Sequence, residues 1–303
     1  MFDQSIVCAY LYIISRSGYP PPAEHTVTYL EQMKALGFQS VELEGIRREH
    51  LLAVCDRVDD ITAAVDALGL QVPYFCVVLP GLASADSRER DECLRLFQRG
   101  CEVASRVGAR GVLDNAPLPP YVFPGDIPTV RHFDDEILRA ARFPQQLSWP
   151  VYWHDLVATY RTACEIAAEF GLTYQMHPCV GVLAATTDGF LYFRDAVGRD
   201  NLRFNLDTAN QFLLKDNLVL SLRRLADCID YIHLADNRGR KVEHLAPTQG
   251  AIDWPAFFET LDDIGFDGAI AVDVGGAESN VGNLDLAYKQ SAAWLTKQWL
   301  NPG

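Results

Sequence analysis

A short β-rich run followed by a longer amphipathic helical pattern recurs eight times along the chain, and no other feature restricts the fold as tightly. The strand candidates are SIVCAYLYI (5–13), FQSVELE (38–44), QVPYFCVVL (71–79), RGVLDNA (110–116), LTYQMHP (172–178), NLRFNLD (201–207), YIHLAD (231–236) and GAIAVDV (268–274). Several are near-continuous apolar runs, as parallel strands covered on both faces require. Between them, EHTVTYLEQMKALG, EHLLAVCDRVDDITAAVDALG, RERDECLRLFQRGCEVASRVG, HDLVATYRTACEIAAEFG and DWPAFFETLDDIG place apolar residues three and four apart. Each ends on a glycine, the residue that stops a helix in the left-handed conformation. Eight such units without a break in composition predict one (β/α)8 TIM barrel over residues 1–303, with an open doubly wound sheet as the alternative. No Gly-x-Gly-x-x-Gly follows the first strand, which argues against a dinucleotide fold.

One connection is too long for the pattern. Residues 117–150, directly after strand four, hold seven of the sixteen prolines and read as a lid or insertion loop within the barrel. Tyr121, Phe123, Phe133, Phe143 and Trp149 predict an ordered flap over the mouth or a subunit contact. A formal charge of -14 opposes a phosphate-backbone partner, so no nucleic acid is expected. No segment approaches 18 apolar residues, and Asp3 stands where a secretory leader would be basic, so neither membrane nor export is expected. The eight cysteines are scattered without a CxxC and read as reduced core residues of a cytoplasmic protein.

In a barrel of this kind, side chains at the C-terminal ends of strands point into the mouth. Gln175 and His177 end strand five, Asp207 strand six, His233 strand seven and Asp273 strand eight. Each polar group interrupts an apolar run at the edge of a buried sheet, where it must be paired or functional. Gln175 and His177, two apart, share one face. One imidazole, two carboxylates and an amide oxygen form a mixed set suited to Mn²⁺, Mg²⁺ or Co²⁺. Plainer readings stand beside these: Asp207 as a helix cap, His233 as a core histidine, Asp273 as a turn former.

The motifs GFQSVELEG, NLDTAN, HLADNRGR and GAIDWPAFFETLDDIGFDGAIAVDVGG resemble those of the xylose isomerase-like TIM-barrel superfamily, the sugar phosphate isomerases and epimerases. In relatives such as D-tagatose 3-epimerase, one divalent metal is held by Glu, Asp, His and Glu from strands five to eight. The resemblance carries those positions onto Gln175, Asp207, His233 and Asp273, and implies Mn first, with Mg, Co or Zn as alternatives. Gln replaces the first Glu and has no proton to exchange, so the two-glutamate mechanism cannot run unmodified. His177 is the replacement base, by analogy with 3-dehydroshikimate dehydratase and the C-glycoside deglycosidase catalytic subunit, its other role being to position Gln175.

The resemblance implies a metal-dependent isomerase or epimerase acting on a sugar or keto-sugar through an enediolate, with His177, Asp273 and Gln175 in the chemistry. A dehydratase or deglycosidase lyase with His177 as base is the alternative, and a non-catalytic sugar-binding barrel the second. Glu44, Trp153, His154 and Arg238 are the expected substrate contacts, with Asp236 behind His233 or Arg238. A homo-oligomer or a small partner subunit is compatible with the resemblance. An endonuclease of the related endonuclease IV type needs many more histidines than seven.

Overall fold

The computed structural model describes residues 1–125, 132 and 135–300. Its strand segments are β1 (Ile6–Cys8), β2 (Ser40–Val41), β3 (Leu43–Ile46), β4 (Tyr74–Val78), β5 (Gly111–Asn115), β6 (Thr173–His177), β7 (Leu202–Asp207), β8 (Tyr231–Leu234) and β9 (Ala269–Val272). All pairings are parallel, in the order β2-β1-β9-β8-β7-β6-β5-β4-β3. Only Glu42 separates β2 from β3, so these two segments are halves of one strand. β2 pairs with β1 and β3 with β4, so the ring closes across that interruption as an eight-stranded barrel.

The glycine stops are where the helical patterns place them. Gly37, Gly69, Gly108, Gly171 and Gly265 all adopt positive φ, which releases the chain from each helix toward the next strand. Side-chain caps set several helix starts: Asp86 accepts from Arg88 N, Thr186 from Gly189 N and Asp253 from Ala256 N. Each such cap contributes about 1 kcal/mol.

Two expectations are corrected. The run 5–13 is not one strand, because after Cys8 the chain turns into a helix over Leu11–Ser17. Its apolar residues are buried in either conformation, so periodicity could not tell them apart. The pattern 49–69 is two helices, Arg47–Cys55 and Val58–Leu68. Part of the expected flap, residues 126–131 and 133–134, lies outside the described residues. On its far side, a helix over Trp149–Glu169 packs back on the barrel. No helix among the described residues is long and apolar enough to cross a membrane. The eight cysteines are buried and none forms a disulfide.

Candidate metal centre

The ends of β6, β7, β8 and β9 deliver His177, Asp207, His233 and Asp273 to one buried cluster, each 5% exposed or less. His177 Nδ1 lies 2.7 Å from Asn205 Oδ1. The Asn205 amide is oriented by its own Nδ2, which donates to the Tyr231 carbonyl at 3.3 Å. Its oxygen must therefore accept, which fixes the proton of His177 on Nδ1 and leaves a lone pair on Nε2. That lone pair faces Asp207 Oδ2 at 3.6 Å. Burial, opposed by the Asp207 carboxylate, holds His177 down at about 4, so the imidazole is neutral at pH 7.

Asp207 fills two roles. Its Oδ1 accepts from Asn210 N at 2.8 Å and caps the short helix Thr208–Leu213, while Oδ2 turns into the cluster. Burial would raise its pKa, but the side chains of His244 and His177 outweigh burial and hold it well below the usual carboxylate range. His233 places Nε2 3.0 Å from Glu42 Oε1 and Nδ1 3.8 Å from Asp273 Oδ2. Burial opposes its charge, yet Glu42 and then Asp273 raise it to about 9.

Two residues absent from the sequence reading complete the arrangement. His244, in the loop after β8, is fully buried, with Nε2 3.4 Å from Asp207 Oδ2 and 3.7 Å from Asp273 Oδ2. No strand pattern could have flagged a loop histidine. Glu42, the residue that interrupts the second strand, also accepts from Tyr231 Oη at 2.9 Å and Tyr10 N at 3.1 Å. Its spacing of two from Glu44 was a usable signal, because residues two apart share a face.

Gln175 does not join the cluster, contrary to expectation. Its Nε2 donates to Thr173 Oγ1 at 3.1 Å and to Asp230, groups that begin β6 and precede β8 at the opposite end of the barrel. His177 is the side chain that β6 brings to the cluster, with Nδ1 on Asn205 and Nε2 facing Asp207. Asp236 is corrected too: it accepts from Asn237 N, Ile252 N and Trp254 Nε1, and its backbone pairs with Leu245. It therefore shapes the loop that carries His244, and touches neither His233 nor Arg238. Gly250 closes against it, since a Cβ there would lie 2.2 Å from Asp236 Oδ1.

Arg238 is bound to Glu243 at 3.0 Å and is 55% exposed. Trp153 stacks on Tyr192 at 5.2 Å, and His154 is exposed on the outer helix. None of the three lines the cavity beside the cluster. Glu44 does, in a cavity shared with Glu42, His177, His233 and Asp273.

The donor set fits a divalent cation. His177 Nε2 and Asp207 Oδ2 are two acceptors aimed at one another with no proton between them. Nitrogen and carboxylate oxygen from His177, Asp207, His233, Asp273 and His244 form two overlapping trios whose ligand atoms lie within 4.8 Å of one another. Such a mixture of imidazole and carboxylate suits zinc and manganese-like ions.

The family model for xylose isomerase-like TIM barrels matches residues 30–298, and the chain belongs to that family. Among solved structures, 3-keto-D-glucoside 4-epimerase from E. coli is 19% identical, covers 97% of this chain and 99% of its own, and superposes with a TM-score of 0.71. L-ribulose 3-epimerase, 17% identical, covers 96% and 92% at 0.71. The IOLI protein with a binding zinc atom, 19% identical, covers 98% and 96% at 0.67. At these identities the likeness concerns the fold. The uncharacterized protein MJ1311 of Methanocaldococcus jannaschii is 29% identical over 121 residues, a match spanning 38% of this chain and 41% of that one.

Proposed function

We propose that this chain is a divalent-metal-dependent isomerase or epimerase that moves a proton next to the carbonyl of a sugar or keto-sugar. The observation that carries the reading is the convergence of His177, Asp207, His233, Asp273 and His244 at the C-terminal mouth of the barrel, beside an open cavity. Epimerases among the structural neighbours support the substrate class. A bound cation there supplies electrophilic stabilisation of the negative charge that develops beside a carbonyl.

The chain's own groups divide the remaining work. Glu42 is saturated by three donors and orients His233. His177 is held by Asn205. Of the carboxylates lining the cavity besides Glu42, Glu44 is the one outside the two trios that hold His177, Asp207, His233, Asp273 and His244, and it is the group that accepts the α-proton and returns it. The commitment of His177 to the cluster supports the isomerase reading over a lyase with that histidine as base.

The test is incubation of the manganese-loaded protein with a ketose panel in D₂O. Deuterium incorporation at the carbon next to the carbonyl, with formation of an epimer, is expected. Loss of water or aglycone without exchange would replace the isomerase reading by a lyase, and the absence of both metal binding and exchange would favour a non-catalytic barrel. Glu44→Gln is expected to lower kcat about 10²-fold or more while manganese affinity is retained.

A further inference from the structure

The cavity beside the metal cluster has a second lobe. The two spaces share Tyr19, Val78, Asn115, His132 and Cys179 as walls. His177, His233 and Asp273 line only the inner lobe, and Arg47 lines only the outer one. A ligand whose reacting carbon sits at the cluster therefore extends toward Arg47.

Arg47 is built in an unusual way. Its φ of 56° lies in the left-handed region that non-glycine residues avoid, at the first residue of the helix Arg47–Cys55. The turn that imposes this conformation is tightly made: Ile46 N donates to His50 Nδ1 at 2.9 Å. A Cβ on Gly45 would lie 2.3 Å from Leu51 Cδ1, so the backbone is pressed onto the helix it enters. The Arg47 side chain is only partly exposed, its Nε is buried without a hydrogen-bond partner, and it has no ion pair among the described residues. Burying a guanidinium nitrogen unpaired is unfavourable unless something else completes it.

The surroundings do not supply that partner. Val78, Pro80, Leu118, Val180 and Val182 make much of the outer lobe apolar, which strengthens any charge pairing within it. Asp114 is the lobe's carboxyl group, but it accepts from Leu79 N, Asn115 N and Tyr174 Oη. Burial also raises it to about 7, so it carries only part of a charge at neutrality.

Building on the metal-dependent sugar reading, we infer that Arg47 receives an anionic oxygen group, a carboxylate or a phosphate, on the end of the substrate remote from the metal cluster. The planar guanidinium matches either group bidentately. The substrate class is then an acidic sugar derivative rather than a neutral sugar, which reconciles a chain of net charge -14 with an anionic ligand through one local cation.

The experiment is calorimetric titration of the manganese-loaded chain with D-glucose, D-glucuronate and D-glucose 6-phosphate, whose rings match and whose terminal groups differ. At least one anion is expected to bind about tenfold or more tightly than glucose, and which anion does so separates carboxylate from phosphate. Arg47→Met is expected to reduce that preference to within about twofold, with manganese affinity unchanged, and Arg47→Lys to retain part of it. Should Arg47→Met fold poorly, as its melting temperature will reveal, Arg47→Lys carries the test through its partial loss. Equal binding of all three probes, or an anion preference that survives in both variants, overturns the inference. Loss of manganese binding or exchange with the preference intact would instead overturn the reading on which it rests.

Discussion

At the scale of single residues, the sharpest question is which group β6 contributes, and substitution at Gln175 decides it. A glutamate there would face Asp230 across the contact that Gln175 Nε2 now makes. A buried and a partly buried carboxyl group at hydrogen-bond distance repel, so Gln175→Glu is expected to destabilise the fold by about 1–3 kcal/mol at pH 7 while leaving manganese affinity within about twofold. Increased affinity would return Gln175 to the ligand set. Asn205→Ala tests the partner position: without the oxygen that fixes the His177 tautomer, manganese affinity is expected to fall about 10–100-fold by titration. Asp114 has its own pH signature. Its folded pKa of about 7 stands above the ordinary value, so between about pH 4 and 7 the unfolded chain releases a proton that the folded chain keeps. Stability contributed at this residue therefore falls as pH rises through that window and is lost above it, on the order of 3–4 kcal/mol by pH 8. Asp114→Asn keeps an acceptor for Leu79 N and Asn115 N, and its Nδ2 can donate to Tyr174 Oη with that bond reversed. Urea unfolding should show the variant gaining on wild type from pH 5 to pH 8, and a constant difference would mean that Asp114 ionises normally.

At the scale of elements, the loop from β8 to the helix Trp254–Asp263 is what brings His244 to the cluster. Asp236 holds this loop through Ile252 N and Trp254 Nε1 and through its backbone bridge to Leu245, next to His244. Asp236→Ala is expected to cost about 1–3 kcal/mol and to lower manganese affinity to the level of His244→Ala, measured on the same preparation. An unchanged affinity would separate the loop from the metal centre. The alternation of strand and helix makes the barrel legible in the sequence, because parallel strands buried on both faces and glycine-stopped helices leave distinct periods. Strand ends pointed to Asp207, His233 and Asp273 for the same reason. The sequence misranked Gln175 and His177 because a period of two gives the face of a strand and not the height along it. Height depends on where pairing stops, here at His177. His244, by contrast, reaches the cluster through loop pairing with the segment after β9, a long-range event that no local pattern encodes.

For the molecule as a whole, the cluster ties together the last four strands of the ring. His177, Asp207, His233 and Asp273 come from β6 to β9, and Glu42 bonds across to β8 from the interrupted strand where the ring closes. Several buried carboxylates converge there in a chain already carrying a net charge of -14, an arrangement that a cation relieves and that its removal exposes. Since the ligands converge only when the ring is closed, a cation that binds them stabilises the closed barrel over the unfolded chain. At a free manganese concentration of about 100 times Kd, the gain is about 2.7 kcal/mol. Chelation is accordingly expected to lower the melting temperature by several degrees, readdition of manganese to restore it, and Asp207→Asn to abolish the response. The unfolding transition should shift as one, because the ligands span half of a single barrel rather than a local loop. A manganese-dependent shift that persists undiminished in Asp207→Asn would place the stabilising ion elsewhere and remove the cluster from the metal chemistry.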